Sequence, residues 1–250
     1  MTDKLKIGVL LDSNRVHAWV YSAIEKLAAS GYAAITLVVY CNNADDTSET
    51  RGFEDTLISR AQRKLDRLLF GNADSYDTVK DISLLVKGAN EIRVTTSKIN
   101  GSDEFSPEDI ETINNFKPDI ILKFRGGSLT GQILKLAKYG VWGLSMNSGS
   151  DNTEYGSGYH EVVSGNRVTP VMLLILNEKG EKENIISGTL ESTCFHSVHL
   201  NKNKLFWRAS LIIPRVIQGI HEYGSTYIEK SAVRYQEIER AKEHSGENEE

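Results

Sequence analysis

The chain is poor in the residues that staple or punctuate small folds: its 250 residues include 2 cysteines and 4 prolines. Cys41 and Cys194 form no metal-ligand spacing and no disulfide framework, which points to reduced thiols in a cytoplasmic protein. No apolar run approaches the roughly 20 residues of a membrane helix, and the run inside MTDKLKIGVLLDS is too short for a signal peptide. Charge of one sign is lacking as well. The net charge of −5 is spread along the chain, so no basic stripe argues for nucleic acid. Internal repeats are absent. A hydrophobic content of 40% and a charged content of 25% are those of an ordinary globular protein.

What is there is an alternation of apolar runs with amphipathic stretches. Residues 6–11 (KIGVLL) read as a buried strand, with Asp12-Ser13-Asn14 as the cap of a helix over 16–28. Residues 35–40 (ITLVVY) are a second buried strand, so the chain opens as a βαβ unit. The turn after the first strand has no glycines, which excludes a dinucleotide fingerprint. Residues 42–51 are polar, and 53–70 form an amphipathic helix with Leu57, Ile58, Leu65, Leu68 and Leu69 on one face. A strand at EIRVTT, a helix opening at Ser106-Pro107, a strand over 118–124 (PDIILKF) and a helix over 130–138 follow. The final helix, 203–221, contains Pro214, which predicts a kink or break. Beyond about 226 the chain is highly charged, and its end is expected to be disordered.

The stretch 139–161 (YGVWGLSMNSGSDNTEYGSGYHE) organises the rest: a buried strand, a polar loop, then a helix start. Residues 168–177 and 184–192 read as an antiparallel edge hairpin beyond it. Open α/β sheets bind ligands past the carboxyl ends of their strands. The candidate ligand-binding residues are therefore Asn147, Asp151, Asn152 and Glu154 in that loop, with Arg125 at the end of the preceding strand. Each has a plainer alternative, loop solvation for the first group and a salt bridge for Arg125. The run Cys194, His196, His199 has ligand types but no evident fourth ligand, and no metal is expected.

The order PDIILKF, YGVW strand, loop, GSGYHE, VTPVMLLIL and an acid before the returning strand resembles the catalytic domain of the formyltransferase superfamily. RKLDRLLFG and LNKNKLFWRASLIIPRVI are similar to the formyltransferase-like domains related to the N-terminal region of glucosamine inositolphosphorylceramide transferases. The resemblance implies a Rossmann-like α/β domain over 1–222, with a mostly parallel sheet, flanking helices and an antiparallel edge hairpin; 223–250 would be a charged tail. It also implies an amino-bearing substrate and 10-formyl-tetrahydrofolate as donor. In that family an Asn and a His stabilise the oxyanion while an Asp positions the His. Their positions hold Gly143, Ser145 and Glu181 here, so only the acid is kept in type. Loss of one oxyanion donor costs about 10²–10³ in rate. A rebuilt set of Ser145, His160 and Glu181 would supply a nucleophile, a base and an acid. Two expectations stay open: a transferase with an altered centre, and a non-catalytic relative that binds a ligand or protein through the same cleft. The apolar surplus of 53–70 and 206–217 suits a homodimer, and a larger monomer core would use the same residues.

Overall fold

A computed structural model of the chain describes residues 3–43, 65–66, 68–70, 74–146, 158–177 and 185–231. Strand β1 (Leu5–Leu11) lies between β3 (Ala33–Asn43) and β7 (Ile120–Lys123), parallel to both. Beyond β3 comes β5 (Asn90–Ile99), and beyond β7 comes β9 (Val141–Ser145), again parallel. The chain thus leaves β1 towards β3 on one side, then returns to build β7 and β9 on the other. The two directions part between β1 and β7, where the carboxyl ends of the strands leave a crevice.

The edges are antiparallel. β10 (Val168–Ile175) pairs with β9 and with β11 (Ile185–Ser192), forming the expected hairpin. At the opposite edge, β5 turns back into β6 (Ser102–Glu104), which pairs in parallel with β8 (Ser128–Leu129). A separate two-stranded ribbon joins β2 (Arg15–His17) to β4 (Val79–Asp81).

Side chains alternate across each strand, and both faces of the sheet are covered, which is why the strands read as continuous apolar runs. On one face Val9, Leu11, Val38, Tyr40, Leu122 and Trp142 meet α1 (Ala18–Ala28) and α4 (Val198–Tyr223). On the other, Leu10, Val39, Cys41, Ile121 and Val141 meet α2 (Pro107–Asn115) and a 3-10 turn (Gln132–Lys135). Each such aliphatic side chain contributes roughly 1.5–3 kcal/mol by leaving water.

Four local expectations are corrected. Asp12, Ser13 and Asn14 do not cap α1, which starts at Ala18 with His17 at its N-cap and no side-chain cap bond. Asn14 instead donates to Asp81 (3.2 Å) and Ser83 (3.1 Å), tying the ribbon β2–β4 in front of the helix. The stretch 130–138 yields only a 3-10 turn, because Gly131 takes φ 82° and the preceding residues are drawn into β8. The last helix begins five residues early at Val198, since Ser197 caps it by accepting from the Leu200 N–H (3.0 Å). Pro214 does not break that helix, which runs on to Tyr223 with Pro214, Ile213, Val216 and Ile217 all buried. Of the helix expected over 53–70, the described residues 65–66 and 68–70 are helical, and Leu65, Leu68 and Leu69 are exposed there. Most of the polar stretch 42–51 and of the charged tail lies outside the described residues.

Candidate functional site

β9 delivers Gly143 and Ser145 to the carboxyl edge of the sheet on the same face as Val141. At Gly143 a leucine side chain lies close. A Cβ there would stand 2.8 Å from Leu176 Cδ2, so the leucine occupies the space a larger residue would need. Ser145 pairs with Met172 of β10 and is half-buried. His160 sits on the one-turn helix α3 (Tyr159–Val163), exposed, with its ring nitrogens 3.2 and 3.4 Å from Ser164 Oγ. Among the described residues no hydrogen bond joins His160 to Ser145. Glu181, Asn147, Asp151, Asn152 and Glu154 lie outside the described residues. The residue of α3 that turns inward is Glu161, which is fully buried. A helix of one turn faces the core with a single position, and that position falls one residue after the histidine.

The charged groups gather elsewhere on the same edge. Arg125, directly after β7, is buried, and its Nη1 lies 2.7 Å from Asp103 Oδ2 in β6. Its Nε donates to Asp12 Oδ1 at 3.1 Å, just past β1. Asp103 also takes Lys98 Nζ at 2.7 Å from β5. The Asp103 and Arg125 side chains are 1% and 2% exposed, so this is a buried ion pair, whereas Asp12 is 66% exposed. Arg125 thus makes the salt bridges of the plainer alternative, to two carboxylates of the chain itself, from a buried position. Gly127, at φ 75°, lets the loop pass close over the pair: a Cβ there would meet Asp103 Oδ2 at 3.4 Å.

Lys123 closes β7 in the middle of this group. Its ammonium donates to the Arg125 carbonyl at 2.9 Å. Burial, with help from the Arg125 guanidinium, pulls its pKa down to about 8, against the opposing pull of Asp103, Asp12 and Cys41. Burial pushes the neighbouring Cys41 thiol up to about 12, so it stays protonated and is a poor nucleophile at neutral pH. Sequence reasoning missed Lys98, Asp103 and Lys123. A lysine ending the apolar run PDIIL was a signal for the last; nothing local marked Asp103, which the β5–β6 turn brings in.

A second cluster carries tempting residue types. Ser75 Oγ donates to Asp77 Oδ1 at 2.5 Å and lies 3.1 Å from His199 Nε2. The hydroxyl proton is directed to the aspartate, so the histidine donates rather than accepts, the reverse of what nucleophile activation needs. With Asp66 accepting from the His199 N–H (2.9 Å), the cluster ties 75–77 to the start of α4. Among the described residues no group of three or more His, Cys, Asp and Glu could hold a metal ion, and His199, of the run Cys194 to His199, is drawn into α4.

The sequence matches no protein-family model and no curated protein. Solved structures do match. Glycinamide ribonucleotide transformylase 1 from Symbiobacterium toebii aligns over 88% of each chain with TM-score 0.53 at 10% identity. Phosphoribosylglycinamide formyltransferase from Anaplasma phagocytophilum aligns over 88% of each with TM-score 0.52 at 12% identity. A formyltetrahydrofolate deformylase from Pseudomonas syringae aligns over 88% of this chain and 62% of its own, with TM-score 0.52 at 8% identity. The chain has the formyltransferase fold. At such identities the likeness extends to the fold alone, and the chemistry must come from the residues present.

Proposed function

We propose that this formyltransferase-fold chain is a small-molecule transferase with a diverged centre, acting on an amino-bearing sugar or amino-acid derivative. A formyl-folate is the donor we assign to the cleft, in a cytoplasmic protein. What supports this is one observation: charged side chains gather where β1 and β7 end, the edge at which such sheets take ligands. Formyl transfer needs stabilisation of an oxyanion and a group to manage the proton of the attacking amine. Gly143 has no side chain to supply the first, and the tip of the Leu176 side chain stands where one would begin.

The missing donor at Gly143 favours a second reading, a non-catalytic relative that keeps the cleft for ligand binding. Calorimetric titration with a stable 10-formyl-tetrahydrofolate analogue, on the wild type and on Glu181→Gln, separates the cases. Micromolar binding weakened by Glu181→Gln supports a working one-carbon site. Binding indifferent to Glu181 supports the non-catalytic reading, and no binding in either protein ends the folate assignment.

A further inference from the structure

The turn that carries β5 into β6 holds the one asparagine of the chain that is followed by glycine, Asn100–Gly101. The register Lys98↔Asp103, Ile99↔Ser102 leaves these two residues as the whole loop. Both take positive φ, 50° and 80°, the pattern of a type I′ turn, for which Asn-Gly is a preferred pair. Both are exposed, and the Gly101 amide lies beyond the last rung of the ladder. An asparagine side-chain carbonyl is within reach of the next residue's main-chain nitrogen, and a side chain on that residue hinders the approach. Glycine has none. Two residues further on stands Asp103, the buried partner of Arg125.

We propose that Asn100–Gly101 is a site of spontaneous covalent modification whose product loosens the buried Arg125–Asp103 pair, a property that does not depend on the one-carbon reading. The Gly101 nitrogen gives up its proton to base and adds to Cγ of Asn100. The side-chain nitrogen takes up a proton and leaves as ammonia, so a five-membered succinimide remains. Water then opens the ring at one of its two carbonyls. Attack at Cγ breaks the new bond and gives aspartate in the original main chain. Attack at the main-chain carbonyl breaks the old peptide bond instead and gives isoaspartate, with the main chain routed through Cβ. Water is the only co-reactant, and nothing is oxidised or reduced. The isoaspartyl product adds one main-chain atom to a two-residue loop whose geometry sets the register of its strands. Strand β6 has three residues and is held on its other side by Ser102↔Ser128 and Asp103↔Leu129, so the displacement reaches Asp103. That carboxylate is 1% exposed and meets Arg125 Nη1 and Lys98 Nζ at 2.7 Å each; moving it strands a buried guanidinium.

The test incubates the full chain at neutral and at alkaline pH and follows the amide-to-acid mass change at each asparagine by peptide mapping. Asn100 should convert at least about tenfold faster than the exposed Asn115, which Phe116 follows, and faster still at alkaline pH. The converted fraction is separated by its added negative charge, and its isoaspartate is detected with an isoaspartate-specific methyltransferase. It should unfold at lower urea than fresh protein, by about the shift that Asp103→Asn produces. Freshly purified Asn100→Asp adds the same charge without the extra main-chain atom and should keep the wild-type midpoint. Conversion at Asn100 no faster than at Asn115 overturns the proposal in the wild type alone. So does a converted fraction with an unchanged midpoint, or an Asn100→Asp midpoint that falls as far as that of the converted fraction.

Discussion

At the scale of single residues, the site is decided by two positions that a sequence pattern describes poorly. Asp103 lies in a three-residue strand with no apolar periodicity, yet it is the buried partner of Arg125. Removing one member of a buried pair leaves an uncompensated charge, which costs about 3–5 kcal/mol. Asp103→Asn should therefore lower unfolding free energy by that amount in urea, and an unchanged midpoint would show that Asp12 alone satisfies the guanidinium. Gly143 was legible as a missing donor, but not as a filled space, because its obstruction comes from Leu176 beyond the end of β10. Gly143→Asn should cost about 1–3 kcal/mol through overpacking. Adding Leu176→Ala should recover part of that loss, and a double-mutant cycle reads the coupling. Strict additivity would mean the two side chains do not meet.

At the scale of elements, apolar period and cap chemistry carried most of the information. The runs KIGVLL, ITLVVY, PDIILKF and GVWGL became β1, β3, β7 and β9, because strands buried on both faces need no alternation. Ser106 before Pro107 marked α2, and its side chain accepts from the Asp109 N–H as a cap should. The short strands β2, β4, β6 and β8 were not legible. Two or three residues carry no period, and their pairing is set by partners distant in sequence, as with Ser102 and Ser128. The same limit hid Asp103, which the short strand β6 brings to the charged cluster. Pro214 shows the opposite error, a strong local signal overridden by packing. Its missing hydrogen bond still carries a cost within α4, so Pro214→Ala should raise stability by about 1 kcal/mol after the lost ring contacts are offset. A fall in thermal midpoint instead would show that the ring's packing outweighs the backbone penalty.

At the scale of the whole molecule, the titration of the buried groups combines into one pH profile. Lys123 has its folded pKa depressed to about 8 from 10.5, so between those values the unfolded chain binds more protons and stability rises with pH. Cys41 runs the other way: its folded value is raised from 9 to about 12, so the folded chain holds the extra proton between them and stability falls with pH. Tyr32 and Tyr40, also raised by burial, add to the fall above 10. Each proton of difference is worth about 1.4 kcal/mol per pH unit. Urea midpoints should thus climb from pH 8 to 9 by about 1 kcal/mol, stay level while the lysine and thiol oppose each other, and drop beyond about 10.5. Lys123→Met should abolish the climb and expose the fall from pH 9 onward. Cys41→Ala should do the reverse, prolonging the climb towards 10.5. If both variants track the wild type, the two groups are hydrated in the folded chain, and the crevice between β1 and β7 is open to water rather than a desolvated centre.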